Sequence, residues 1–294
     1  MSENERNYII ITDSCSDMPA DLAEELDVTV IPMSFTVNGR TYKNYSDNRE
    51  LDIGDYYEML RSGARSTTSQ LSPNEISEAF EPFLEEGKDI LYIAFSSGLS
   101  GTYQNSVIAA NELKEKYPDR VIECFDSLCA SAGECALVWY AAKKKAEGYG
   151  IHEVMSWLDA NRLHLCHWFT VDDLGHLKRG GRVSAATALA GTMLKIKPIL
   201  HVDNEGHLIN VGKVRGRKAS LDAIVDKVGE TGINIKDQTV FISHGDAGEE
   251  AEYVAKEIKS KFGVKDIITA DIGPVIGAHS GPGTMAVYFI GTER

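Results

Sequence analysis

The sequence predicts an α/β protein of two domains. The first, over residues 1–163, is a largely parallel sheet with helices on both faces, and the second, over 164–294, is a mixed α/β (α+β-like) domain. Three observations carry this. Continuous apolar runs such as YIIIT (8–12), DILYIAF (89–95) and RVIECFD (120–126) alternate with helix-period blocks, the order of buried parallel strands joined by crossover helices. A chain of 294 residues exceeds the usual size of one domain. Past residue 163 the texture changes to short strands, turns and a small-residue stretch.

Each element has a local reason. YIIIT is a strand, Asp13 to Asp17 a polar loop, and Pro19 the first residue of the helix ADLAEEL. VTVIPMSFTV (28–37) is strand-like, and Asn38-Gly39 turns it into RTYKN as a hairpin. A helix in DIGDYYEMLRS ends at Gly63, and ARSTTSQ (64–70) is a loop. Ser72-Pro73-Asn74-Glu75 is a capping box with proline just inside it, opening a helix that runs to Gly87. After DILYIAF come the loop SSGLSGT, the helix YQNSVIAANELKEKY, the strand RVIECFD, and helices ending at Gly150 and Leu163. Then HLCHWFTV is a strand, and VSAATALAGTML (183–194) a small-residue helix. KPILHV and HLINVGKVRG form an antiparallel pair about a turn at Asp203 to Gly206. TVFISHG, EEAEYVAKEIKSKFG and DIITADI add strand, helix and strand. GPVIGAHSGPG is a loop, and TMAVYFIG is the closing strand.

Composition narrows the function. The chain is 43% hydrophobic and 25% charged, as in an ordinary globular protein with a sizeable core, and carries a formal net charge of −14. No basic stripe is present, which argues against nucleic acid as a partner. No apolar run is long enough to cross a bilayer, and MSENERNYIII has no signal-type pattern, so a cytoplasmic location is expected. Five cysteines without a CxxC pair suit free thiols in a reducing compartment. In HLCH (164–167) alternate side chains of a strand face opposite ways, which disfavours a metal site.

Three hydroxyl- or glycine-rich loops stand out. AFSSGLSGTY (94–103) follows a buried strand, and ligands of open α/β sheets sit beyond such carboxyl ends. It fails as a nucleophile elbow because Thr102 stands where G-x-S-x-G requires glycine. No P-loop or dinucleotide fingerprint occurs either. What remains is a run of small residues entering a helix, offering N–H groups and hydroxyls to an anion, with Ser100 as the N-cap. STTSQ (66–70) is a second hydroxyl cluster, and AHSGPGT (278–284) is a glycine loop displaying His279. With little positive charge nearby, a carboxylate fits this set better than a polyphosphate. A serine-dependent hydrolase or acyltransferase using Ser100 or Ser97 with His279 or His244 is the rival reading, and a small-molecule sensor a third.

Together, IITDSCSDMP, TSQ, SSGLSGTYQ, LGHLKRGGR and GAHSGPGT, in this order over nearly the whole chain, resemble the DegV family. The resemblance implies a cofactor-free, non-enzymatic carrier with two α/β domains and a buried long-chain fatty acid. It implies a separate ATP-dependent fatty acid kinase that phosphorylates the carboxylate, the acyl phosphate passing on to phospholipid synthesis. An acyltransferase and transient membrane contact are further partners that such a role allows. Carried over by position, it implies Thr68, Ser97, Ser100 and His279 as the carboxylate-holding set. Arg179, Arg182 and Arg215 take the role of docking the kinase or stabilising the head group. N-cap logic favours Ser100 over Ser97. The chain departs from the usual pattern at Cys15 and at Leu71, where proline is common.

Energetics make such a ligand sensible. About fifteen buried methylenes contribute on the order of 12 kcal/mol gross, while each hydrogen bond to the charged head adds about 1.5–3 kcal/mol. The tail then sets affinity and the hydroxyls set orientation.

Overall fold

The computed structural model describes residues 7–183 and 195–294. In the N-terminal half the elements are β1 (Tyr8–Asp13), α1 (Ala20–Glu25), β2 (Val28–Ile31), β3 (Ser34–Val37), β4 (Arg40–Lys43), α2 (Ile53–Arg61) and β5 (Ser66–Ser69). They continue with α3 (Pro73–Glu85), β6 (Asp89–Ala94), α4 (Thr102–Lys116), β7 (Ile122–Asp126), α5 (Ala132–Ala146) and α6 (Ile151–Asn161). Strands β2-β1-β6-β7 form a parallel sheet in that order. The chain leaves β1 toward one edge and β6 toward the other, so the gap between their carboxyl ends is a topological switch point, where open α/β sheets place ligands.

The second half holds β8 (Leu165–Thr170), α7 (Gly175–Arg179), β9 (Ile196–Val202), β10 (Leu208–Arg215), α8 (Arg217–Thr231) and β11 (Thr239–His244). It ends with α9 (Gly248–Phe262), β12 (Asp266–Asp271), α10 (Pro274–Ser280) and β13 (Met285–Ile290). Its six strands make one mixed sheet, β10-β9-β8-β13-β11-β12, with β9 and β10 antiparallel about the expected turn. The α/β class read from the sequence is therefore present, as a parallel sheet flanked by helices and a separate mixed sheet. Among the described residues no helix is long and apolar enough to cross a membrane.

Helix α5 joins the two sheets. It packs on β1 and β6 and also on β8, β11 and β13. Ala132, Gly133, Cys135, Ala136, Ala141 and Ala142 are all buried, small residues that let a helix fit between two sheets with no solvent face along most of its length. Helices α3 and α4 cover the opposite face of the parallel sheet, around Phe80, Tyr92 and Leu113, and α8 and α9 cover the far face of the mixed sheet.

Several local expectations are corrected. VTVIPMSFTV is two strands in two sheets: Pro32 cannot donate to a ladder, and the chain leaves the parallel sheet there, Met33 N–H donating to Ser14 Oγ at 3.0 Å. ARSTTSQ is not a loop, because β3 offers an open edge to residues 66–69 and pairs with them antiparallel, Phe35 opposite Thr68. GPVIGAHSGPG begins as helix α10, with Pro274 at its first turn and His279 in its last. Asp13 to Asp17 is a buried single 3-10 turn, Ser14–Ser16, capped by Asp13, whose Oδ1 accepts from Cys15 N–H at 3.0 Å. Helix α4 begins at Thr102, with Gly101 rather than Ser100 at the N-cap position. The small-residue helix expected over 183–194 lies outside the described residues except for Val183, which bridges to Leu208. All five cysteines are free.

Candidate functional site

A cavity of about 460 Å³ lies between the carboxyl ends of the parallel sheet and the inner face of the mixed sheet. That volume is within the range of small-ligand sites. Its walls are mostly apolar: Met33 beyond β2, Phe95 and Leu99 beyond β6, Phe169 and Ala286 from the mixed sheet, and Val275 from α10. Strand alternation explains the far wall, since Ala286 and Tyr288 share one face of β13, which Thr284 precedes by one residue, and His167 and Phe169 share one face of β8.

The cavity ends at one side on Thr68, Ser100, Arg182 and His279. Thr68 on β5 and His279 on α10 meet with Oγ1 and Nε2 2.8 Å apart. Among the described residues, His279 Nδ1 is buried without a hydrogen-bond partner. Burial, with the Arg182 guanidinium nearby, pushes the imidazole down to about 4, so it is neutral near pH 7. The ring fits because residue 180 is glycine: a Cβ there would overlap His279 Nδ1. The KRGGR glycine is therefore a packing requirement of the histidine loop.

The three serines behind β6 have three different positions. Ser96 is buried and its hydroxyl donates to Gly206 O at 2.9 Å, tying the loop to the β9–β10 turn. Ser97 is exposed, its N–H donating to Asp126 Oδ1 at 3.1 Å, and it does not line the cavity. Ser100 does line it, and its Oγ accepts from Thr102 N–H at 3.2 Å. The TSQ glutamine stitches strand to loop, since Gly101 N–H donates to Gln70 Oε1 at 3.1 Å and a Cβ at Gly101 would overlap that side chain. Neither Cys15 nor Leu71, the two departures from the family pattern, bonds to Thr68, Ser100 or His279, although Cys15 lines the cavity.

Outside the Thr68–His279 pair lies a second depression of about 700 Å³, which also touches Thr68, Arg182 and His279. Arg65, His176 and Arg179 line it, and among the described residues no aspartate or glutamate does. That is a notable absence in a chain with 44 acidic and 30 basic residues. Arg182 spans the junction, its Nε donating to Leu99 O at 3.2 Å and Nη1 to Gly180 O at 2.6 Å. Arg179 faces the outer depression alone, and Arg215, exposed at the end of β10, lines neither chamber. Sequence reasoning missed Arg65 and His176. An isolated arginine before STTSQ has no local signal, and the pairing of β5 with β3 is what brings it to the rim.

The hydrolase reading is poorly served by this geometry. Neither Ser97 nor Ser100 bonds to His279, and no carboxylate among the described residues bonds to its Nδ1, so the nucleophile–base–orienter chain is not assembled. His244 lies elsewhere, 3.5 Å from Asp271 and accepting from Ala247 N–H. The fold and the site thus define an α/β binding protein, with an apolar cavity ending on hydroxyls, a neutral imidazole and the Arg182 guanidinium.

Comparison with known proteins agrees. The model of uncharacterised DegV-family proteins matches residues 7–292, and the chain belongs to the DegV family. A DegV domain-containing protein of Clostridium perfringens is 44% identical over 289 residues, covering 98% of this chain and 99% of that protein. A Thermus thermophilus DegV-family structure described by its fatty acid binding is 30% identical, with TM-score 0.87 over 97% of this chain and 99% of that one. A stearic acid-binding protein of Eubacterium ventriosum is 26% identical, with TM-score 0.87 over 97% of this chain and 98% of that one.

Proposed function

We propose that this protein is a non-catalytic carrier. It holds a long-chain fatty acid in the cavity, with its carboxylate on Thr68 and Ser100 beside His279, and presents it to a separate fatty acid kinase, which makes an acyl phosphate for phospholipid synthesis. The observation that carries the reading is an apolar cavity whose polar end adjoins a basic depression open to the outside. The relatives described as fatty-acid-binding support the tail, and the basic rim supports a phosphorylating partner.

The chemistry follows from the protonation states. A neutral His279 that donates its Nε2–H to Thr68 Oγ1 leaves the threonine O–H free to donate to a carboxylate oxygen. Ser100 adds a second hydroxyl. Held chiefly by hydroxyls, the carboxylate keeps nucleophilic lone pairs and faces Arg182 at the junction and Arg179 outside it, where charge builds as a phosphoryl group arrives. Arg179 and Arg182 then steady the transferring group or the kinase. Arg215, apart from both chambers, serves docking alone.

Mass spectrometry of lipid extracted from the purified protein tests the reading. About one long-chain fatty acid per chain is expected, and ligand-free protein even after incubation with several fatty acids would overturn it. Alanine at Thr68, Ser100 or His279 is expected to weaken lipid binding by about one charged hydrogen bond while sharply reducing phosphorylation. Ser97→Ala, at an exposed position, is expected to leave both unchanged. Phosphorylation at the wild-type rate in all three site variants would show that the head group sits elsewhere.

A further inference from the structure

Far from the carboxylate end, the cavity wall is not hydrocarbon. Ser131, His167 and Tyr288 line it there. Tyr288 on β13 follows Thr284, the residue just before that strand, by four positions, about 13 Å along extended chain, and Thr284 is the residue that bonds back to the end of α10 beside His279. Tyr288 stands opposite His167, the two rings edge to face at 5.1 Å.

Behind this wall runs a buried chain of polar groups. Tyr288 OH lies 2.9 Å from Ser243 Oγ, Ser243 Oγ lies 2.9 Å from Ser131 Oγ, and Ser131 Oγ lies 2.5 Å from Asp17 Oδ2. Asp17 Oδ1 is occupied by the Gly273 N–H at 2.8 Å. Counting hydrogens shows that the chain cannot close on itself. With Asp17 ionised, three hydroxyl hydrogens serve three links, all pointing toward the carboxylate, and Tyr288 is left with only acceptor capacity. With Asp17 protonated, four hydrogens face three links. The links then run outward, and the surplus is the Tyr288 O–H, which has no other hydrogen-bond partner among the described residues. Burial, with Asp271 and Asp13 adding to it, pushes the Asp17 carboxyl well up, which favours the second arrangement. In both cases one hydrogen-bonding function of Tyr288 is unfilled.

The backbone adds an independent observation. Ser131 sits at φ 55°, ψ −142°, a region that side-chain-bearing residues rarely occupy. The strain holds its hydroxyl between Asp17 and Ser243 at the cavity wall.

We propose that the distal cavity is a second polar subsite, in which Tyr288, backed by Ser243, Ser131 and Asp17, receives a hydroxyl group on the acyl chain. Hydroxylated long-chain fatty acids then belong to the ligand class. A ligand hydroxyl both donates and accepts, so it completes the chain whichever way its hydrogens run. In a pocket of hydrocarbon alone, such a hydroxyl weakens binding because it loses its water partners. The inference rests on the fatty acid reading above.

The test is displacement of a bound fluorescent fatty acid by stearic acid and by stearic acids hydroxylated at successive single carbons of the distal half. Wild type, Tyr288→Phe and Ser243→Ala are compared. At least one hydroxylated isomer is expected to bind wild type as tightly as stearic acid or tighter. In Tyr288→Phe that isomer is expected to lose about tenfold relative to stearic acid, a difference of one unit in log Kd, with a smaller loss in Ser243→Ala. If every isomer binds wild type more than about tenfold weaker than stearic acid, the subsite is overturned, whether or not the variants fold. A preferred isomer whose advantage survives both substitutions overturns it as well. Failure of stearic acid itself to bind wild type would instead sink the carrier reading.

Discussion

The two ends of the cavity are built on opposite plans. At the proximal end, Thr68, Ser100, Arg182 and His279 come from four separate segments and leave hydrogen-bonding capacity open, with His279 Nδ1 unpartnered among the described residues and the arginine donating to the Leu99 and Gly180 carbonyls. At the distal end Asp17, Ser131, Ser243 and Tyr288 are all buried and bonded to one another in series. The first end adjoins the basic depression, and the second is locked between α5, β11 and β13. The lesson is a division of labour. On the carrier reading proposed above, the walls between the ends supply affinity through buried area, and the proximal end, which supplies little of it, decides what chemistry the ligand meets.

The largest effect that would break this comparison is steric. Ala286 is buried in the far wall between Thr284 and Tyr288. Ala286→Trp should exclude several methylenes, at about 0.8 kcal/mol each. Fatty acid affinity is then expected to fall by about two orders of magnitude, read by displacement of a fluorescent fatty acid, with the circular dichroism spectrum unchanged. A loss of less than about threefold would mean that the tail does not pass this wall.

Next in size is a substitution confined to the proximal end. Gly180 has φ −72°, so alanine brings no backbone strain and acts only through the overlap with His279. Gly180→Ala should separate His279 from Thr68 and cut phosphorylation by the kinase at least about tenfold, while lipid affinity drops only by the value of one hydrogen bond. Equal losses in both measurements would erase the proposed division. Adding His279→Ala to Gly180→Ala should cost nothing further, because the displaced ring already contributes nothing.

The arginines sharpen the comparison with smaller effects. Alanine at Arg179, Arg182 or Arg215 should leave lipid affinity within about twofold, because the tail dominates it. Kinase turnover should fall and lose part of its salt dependence, as when a charge pair across an interface is removed. Salt titration of turnover separates the sites: Arg215→Ala should raise the apparent KM for the kinase alone, and Arg182→Ala should lower kcat. Weakened lipid binding with normal turnover at saturating lipid would move these residues into the ligand site.

The smallest effect concerns a buried acid behind both ends. Glu134 Oε1 lies 2.8 Å from Thr12 Oγ1, whose single hydrogen is also aimed at Ile93 O at 2.9 Å. One hydrogen shared between two acceptors leaves the carboxyl weakly solvated by its neighbours. Burial, with Asp13 adding to it, accordingly pushes its carboxyl well above the ordinary 4.5. Above 4.5 the unfolded chain releases this proton and the folded one keeps it, so the group lowers stability progressively as pH rises toward its folded value. Glu134→Gln should therefore show a melting temperature whose advantage over wild type widens from acid to neutral pH, with lipid binding unchanged. A constant difference would mean that Glu134 is ionised in the folded protein.

The order of parallel strands, the capping box of α3, the β9–β10 turn and the three segments around Thr68, Ser100 and His279 could all be read in the sequence. Each depends on the periodicity or turn chemistry of adjacent residues. What the local pattern could not decide was which hydroxyls face the cavity. Ser97 and Ser100 are equivalent as letters in one small-residue loop, and only the entry angle into α4 turns one outward and the other into the cavity. The Thr68–His279 contact spans 211 residues and exists because β5 pairs with β3 while α10 packs over them. The splitting of VTVIPMSFTV between two sheets and the chain from Tyr288 to Asp17 have the same origin. Sequence periodicity tells a side chain which face of its own element it occupies, but the residue it meets across a layer follows from sheet register and helix packing, which leave no local trace.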